Sequence, residues 1–116
     1  MPESEPPILA LVRDLMFSGR IMAEARAAGA NVRIVRDPKS LEGATDTQAS
    51  LMIVDLNLPG AIEASADWQK KGPRRVVGFV SHEDAQTISQ ARSAGIDQVL
   101  ARSRFVQILP QLLTQK

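Results

Sequence analysis

The chain has no cysteine and a single histidine, His82, among its 116 residues. Without cysteine there is no disulfide framework, no cysteine-based zinc site and no thiol nucleophile, and one histidine excludes a multi-histidine metal centre. Aromatic residues make up only 3% of the chain, which argues against stacking platforms for RNA or single-stranded DNA. The chemistry that remains is that of carboxylates, hydroxyls and cationic side chains.

Long apolar runs and a strong charge of one sign are also missing. No apolar stretch approaches the length of a membrane span, residues 1–7 lack the basic-then-apolar pattern of a signal peptide, and the formal net charge is +1. Bulk electrostatics therefore indicates neither a nucleic-acid-binding nor a membrane-binding surface. We expect a soluble, cytoplasmic protein with a disordered arm at residues 1–7 and a single domain at residues 8–116.

Short apolar runs recur along the chain and predict five strands. Residues 51–54 show no polar alternation, which is typical of a strand covered on both faces in a parallel sheet. Arg33 interrupts residues 32–35, which predicts a strand at the edge of the sheet. The predicted strands cover residues 8–12, 32–35, 51–54, 76–80 and 99–101.

Helical patterns lie between these strands. Ser18 predicts the start of the first helix and Gly29 its end. Pro110 interrupts the last helical stretch, so we expect a short turn and then a new helix that starts near Pro110. The other predicted helices are a short, weak one after Asp37-Pro38 and two longer ones at residues 61–71 and 82–94. This alternation predicts an α/β fold, a three-layer, doubly wound, five-stranded parallel sheet of order 2-1-3-4-5, as in flavodoxin.

Four of the predicted strands end in polar residues that meet at the carboxyl edge of the sheet, where open α/β sheets bind ligands. These residues are Arg13-Asp14, Asp55, Ser81-His82 and Arg102-Ser103. Two carboxylates could hold a divalent cation between Asp14 and Asp55, with the oxygen ligands that Mg²⁺ prefers. The same edge could hold a phosphoryl group, with Ser81 and Arg102 bonded to its oxygens.

Each of these residues also has a simpler interpretation. Asp14 could be a helix cap, a metal ligand or the partner of an arginine, and Ser81 could cap the following helix, bind a phosphoryl group or do both. Asp55 fits the centre of a pocket better than a mere loop cap once the other strand ends are counted. An arginine near a carboxylate, as at Arg102, is more commonly half of a structural ion pair.

The motif Asp55-Leu56-Asn57-Leu58-Pro59-Gly60, with Asp14 after the first strand, Ser81 after the fourth and residues 94–102 leading to Arg102, resembles the receiver domain of bacterial response regulators, the CheY-like family. The resemblance covers nearly the whole chain from Ile8 onward. It implies phosphorylation of Asp55 and Mg²⁺ bound by Asp14, Asp55 and the Asn57 carbonyl. It also implies that Ser81 and the cation at Arg102 contact the phosphoryl oxygens.

The chain departs from this family pattern at several positions. The family has two acidic residues after the first strand, whereas this chain has Arg13-Asp14. The family's lysine is replaced by Arg102, and the proline that follows it by Ser103. The family's aromatic switch residue corresponds to Val99, and the helix between residues 35 and 50 is shorter than in the family. A guanidinium near the carboxylates can form the ion pair that Mg²⁺ would otherwise make, and Arg13 is one candidate for it. These departures indicate a degenerate receiver, or pseudo-receiver.

The favoured interpretation is a stand-alone, receiver-like signalling module that docks to a protein partner, a sensor kinase or a downstream effector, without needing phosphorylation. We expect a monomer or weak homodimer that binds neither nucleic acid nor membrane. One alternative is a phosphorylatable, Mg²⁺-dependent response regulator. Another is a flavodoxin-like domain that binds a small anion or nucleotide, although no glycine-rich phosphate loop follows the first strand. Independent enzymatic activity is not expected, because no nucleophile–base–orienter set is visible.

Overall fold

Five parallel strands form one sheet in the order β2-β1-β3-β4-β5. The structure, a computed structural model, describes residues 7–44, 49–80, 84–96 and 98–114, and of residues 42–44 the backbone alone. The strands are β1 (Ile8–Leu11), β2 (Val32–Val35), β3 (Leu51–Asp55), β4 (Arg75–Val80) and β5 (Gln98–Ala101). The predicted strand order is confirmed, and the strand that carries Arg33 lies at an edge as expected.

In the described parts of the chain, three α-helices and one 3₁₀ segment connect the strands, and a fourth α-helix follows β5. They are α1 (Leu15–Ala28), the 3₁₀ segment (Pro38–Ala44), α2 (Ala61–Gln69), α3 (Ala85–Ser93) and α4 (Arg102–Thr114). The weak helix expected after Asp37-Pro38 is therefore a 3₁₀ segment. Within the described parts of the chain, no helix is both long and apolar enough to cross a membrane.

Several predicted helix boundaries were wrong. The helix expected at residues 82–94 begins at Ala85 and is capped by Asp84. The first helix begins at Leu15 and is capped by Asp14, whereas Ser18 is buried inside it and donates from Oγ to the Leu15 carbonyl at 3.1 Å. The last helix runs through Pro110 without a break. Pro110 is exposed, while Leu109 and Leu112 on either side of it are buried, so burial of the apolar face outweighs the backbone hydrogen bond that proline cannot make.

The core consists of two apolar layers, one on each face of the sheet. Successive strand residues point to opposite faces, so Leu9 and Leu11 belong to one layer and Ala10 and Val12 to the other. The 3₁₀ segment, α2 and α3 cover the first face, and α1 and α4 cover the second. Trp68 of α2 is buried in the first layer, so its ring is part of the core.

Gly78 in the middle of β4 is required by a close side-chain contact. A Cβ atom built at this position would lie 2.7 to 2.8 Å from three side-chain carbons of Leu56. Leu56 is itself buried in the core, so it has little room to move away. The loop that follows Asp55 is therefore held against β4 by a packing contact that only glycine permits.

Replacing Gly78 tests this packing. Gly78→Ala should lower the free energy of unfolding by about 1–3 kcal/mol, as overpacking of a core does. The control is Gly19→Ala in α1, where a Cβ meets nothing within 4 Å and a better helix former should stabilise the protein by up to about 1 kcal/mol. Urea unfolding measures both values, and a neutral Gly78→Ala would contradict the close contact.

Candidate functional site

Three charged residues from separate elements meet at the carboxyl edge of the sheet. Asp14 lies at the N-terminus of α1, Asp55 is the last residue of β3, and Arg102 is the first residue of α4, directly after β5. Together with Phe17 and Phe79 they line a pocket of about 190 Å³. The structure thus brings together three of the residues that the sequence pattern singled out.

Asp14 is both a helix cap and the partner of an arginine. Its Oδ1 accepts hydrogen bonds from the backbone N–H groups of Met16 at 2.9 Å and Phe17 at 3.2 Å. Its Oδ2 lies 4.0 Å from an Nη atom of Arg102. The two side chains are 49% and 42% exposed, so this ion pair contributes only about 0–1 kcal/mol to stability.

Arg102 has a second contact, with an aromatic ring. Its guanidinium carbon lies 4.2 Å from the centroid of the Phe17 ring, close enough for a cation–π interaction. The Phe17 ring is 4% exposed and packs against Phe79 at 4.9 Å and Phe105 at 5.8 Å between centroids. The guanidinium therefore rests on a ring that the core holds in place.

Phe17 was missed by the sequence reasoning. The contact depends on two elements far apart in the sequence, the first turn of α1 and the start of α4. The available signal was an aromatic residue three positions after the capping Asp14, where it points back towards the helix N-terminus.

Arg13, expected beside the carboxylates, is directed towards β2 instead. Its Nε donates to the Arg36 carbonyl at 3.3 Å, and an Nη of Arg36 donates back to the Arg13 carbonyl at 3.4 Å. Residues at a strand end still alternate in direction, so neighbouring Arg13 and Asp14 point to different places. The guanidinium next to Asp14 belongs to Arg102.

Asp55 ends β3 in a turn that its own side chain stabilises. Its Oδ1 accepts a hydrogen bond from the backbone N–H of Asn57 at 3.0 Å, and the residue is aligned with Phe79 of β4. The two other predicted residues of this edge, Ser81 and His82, lie outside the described residues.

The donor set can be tested against the Mg²⁺ ion that the family resemblance implied at Asp14, Asp55 and Asn57. One oxygen of Asp14 already accepts two N–H groups, and the other faces the Arg102 guanidinium. One oxygen of Asp55 is bonded to the turn. The described residues contain no cluster of three acidic or histidine side chains that could hold a metal ion. A divalent ion would have to displace Arg102 from Asp14, so the arrangement does not fit Mg²⁺ as it stands.

Solved structures decide the fold. A CheY-like receiver domain from Methanospirillum hungatei matches with a TM-score of 0.77 at 16% identity, over 95% of this chain and 94% of that one. The chain has the fold of a CheY-like receiver domain. No protein-family model matches it, and no curated protein matches it either.

Two further receiver-fold structures match. A response regulator from Burkholderia pseudomallei, solved with a phosphorylated aspartic acid, a calcium ion and citrate, has a TM-score of 0.77 at 20% identity over 97% of this chain and 68% of that one. A Saccharomyces cerevisiae receiver domain, solved with a histidine phosphotransfer protein, has a TM-score of 0.74 at 16% identity over 94% and 88%. At these identities the likeness concerns the receiver fold.

Substitutions of Asp14 separate its capping role from its ion pair within this receiver fold. Asp14→Ala removes both and should lower the free energy of unfolding by about 1 kcal/mol. Asp14→Asn keeps a capping oxygen and should retain most of that stability, because asparagine caps helices about as well as aspartate. Urea unfolding measures both variants, and equal losses would show that the ion pair dominates.

Proposed function

We propose that the protein is a receiver-like signalling module that acts by docking to a protein partner and does not depend on phosphorylation of Asp55. The observation that carries this proposal is the Arg102 guanidinium, which lies 4.0 Å from Asp14 and 4.2 Å from the Phe17 ring. A cation attached to the chain therefore stands beside the carboxylate that a metal-dependent pocket would use for its metal ion.

The electrostatics of the pocket supports this interpretation. Its lining carries two carboxylates, Asp14 and Asp55, and one guanidinium. The net negative charge of such a pocket repels a negatively charged phosphate donor unless a further cation binds there. A metal ion that supplied this cation would compete with Arg102 for Asp14. Arginine also differs from lysine in that its planar group stacks on aromatic rings and favours paired carboxylate oxygens.

A phosphorylatable, Mg²⁺-dependent response regulator is the second candidate. It is favoured by Asp55, which stands at the end of β3 in the same pocket as a cation. The Burkholderia pseudomallei relative has a phosphorylated aspartic acid and a calcium ion. A nucleotide-binding function is less favoured, because residues 12–18, which follow β1, contain no glycine and so form no glycine-rich phosphate loop.

An exposed apolar pair beside the pocket supports docking to a protein. Leu15 and Met16, in the first turn of α1, are 69% and 87% exposed, and both follow Asp14 directly. Met16 also lines an open cleft between α1 and α4 together with Arg102 and Val106. A partner that covers this pair with apolar side chains would also reach Arg102. The yeast receiver domain bound to a phosphotransfer protein makes a protein partner reasonable for this chain.

Phosphorylation is tested by mass. The protein is incubated with acetyl phosphate and Mg²⁺, and its intact mass is then measured. Because the Arg102 guanidinium lies beside Asp14 and would compete with a metal ion for it, we expect no phosphate adduct at Asp55. The control Asp55→Asn defines the background mass. An adduct that forms on the wild-type protein and is missing from Asp55→Asn would contradict phosphorylation independence and favour the second candidate.

Docking is tested with the protein immobilised on a resin and an extract of its source cells passed over it. A protein that binds the immobilised wild type is then compared for binding to each variant. Met16→Asp should weaken that binding about tenfold or more, as loss of a central apolar contact does. An acidic residue in the first turn of a helix suits the helix dipole, so α1 should stay folded.

Two controls accompany this comparison. Gln90→Asp places the same charge on the exposed surface of α3, and Asp55→Asn removes the acceptor carboxylate; both should retain the partner. Equal loss with Gln90→Asp would contradict docking at Met16, and loss with Asp55→Asn would contradict independence from Asp55.

A further inference from the structure

We propose that Phe17 is the positioning residue that keeps the guanidinium of Arg102, rather than a divalent metal ion, as the counter-ion of Asp14. This inference deepens the proposed function and depends on it, because it takes Arg102 to be the resident cation of the pocket. In this inference, the aromatic side chain of Phe17 determines whether a guanidinium or a divalent metal ion binds Asp14.

The ion pair alone does not account for the position of Arg102. The contact of its Nη atom with Oδ2 of Asp14, at 4.0 Å, joins two side chains that are each more than two-fifths exposed, and such pairs are weak. Arg102 stands at the first position of α4, where no preceding turn of that helix restrains its side chain. Another contact must therefore keep it over the pocket.

The Phe17 ring supplies that contact. The guanidinium carbon lies 4.2 Å from its centroid, and the ring itself is almost fully buried. Phe79 and Phe105 stack on each other at 4.6 Å and both pack against Phe17. The orientation of the Phe17 ring is therefore held by the core and does not depend on Arg102. A planar guanidinium suits such a face, whereas a hydrated divalent ion does not gain from it.

Phe17 also connects the two partners of the pocket. Its backbone N–H donates to Oδ1 of Asp14 at 3.2 Å, while its side chain supports the cation that faces Oδ2. One residue thus fixes the carboxylate from the backbone and the guanidinium from the ring. A divalent ion that binds Asp14 has to remove Arg102 from the ring. Its apparent affinity is therefore its intrinsic affinity multiplied by the fraction of molecules in which Arg102 is away from the ring.

The test is a titration with Mg²⁺, followed through the backbone amide resonances of Asp14 and Asp55. Arg102→Gln, which removes the resident cation, should bind Mg²⁺ more tightly than wild type. Phe17→Leu removes the ring and keeps Arg102, and it should tighten Mg²⁺ binding about two- to fivefold, the range that corresponds to a partly exposed cation–π contact.

Two matched variants separate positioning from packing. Trp68→Leu removes a buried aromatic ring from the opposite face of the sheet, in a different core layer from Phe17, so Mg²⁺ affinity should stay at the wild-type value. Phe17→Tyr keeps an aromatic face and should also restore the wild-type affinity. In the wild-type protein, ring-current shifts should move the side-chain resonances of Arg102 upfield, a measurement that remains available if Phe17→Leu does not fold.

The outcomes distinguish the inference from the function on which it rests. Tighter Mg²⁺ binding in Arg102→Gln, with Phe17→Leu no different from Trp68→Leu, would overturn the role of Phe17 and leave the proposed function intact. Unchanged binding in Arg102→Gln would show that Arg102 is not the counter-ion, which overturns both. Unshifted Arg102 resonances in the wild-type protein would also overturn the role of Phe17.

Discussion

Parallel strands bring the ends of distant segments to one edge of a sheet, and this constraint produces the pocket. Asp14 and Asp55 are 41 residues apart in the chain and Asp55 and Arg102 are 47 apart, yet the three follow or end β1, β3 and β5 and line the same small space. The edge would collect negative charge from its two aspartates. The Arg102 guanidinium offsets part of that charge, and its place is set by the ring of Phe17.

In the proposed account, Asp55 is a candidate phospho-acceptor at the end of β3, and Arg102 supplies the cation of the same pocket. A bound metal ion exchanges with solvent, so the occupancy of a metal-dependent pocket changes with the concentration of the ion and with the groups that the ion bridges. A guanidinium attached to the chain is present in every molecule and needs no such equilibrium. The exposed Leu15 and Met16 follow Asp14 in the chain. The surface proposed for docking therefore lies next to the charged residues of the pocket.

Much of the architecture followed from residue patterns, because strand and helix signals are local. The apolar run at residues 51–54 identified a buried strand, and Arg33 identified the edge strand. Pro110 misled the prediction because burial of Phe105, Leu109, Leu112 and Leu113 outweighs one missing backbone hydrogen bond. The guanidinium beside Asp14 depends on side-chain direction and on the Phe17 ring, and neither is visible in a local pattern.

The central claim, that Arg102 is the resident cation of the pocket, is tested most directly by a crystal structure determined with millimolar Mn²⁺ in the crystallisation solution and anomalous data collected for manganese. The account predicts the Arg102 guanidinium over the Phe17 ring beside Asp14, with no anomalous peak between Asp14 and Asp55. A manganese peak bonded to both carboxylates, with Arg102 turned away from Phe17, would contradict it.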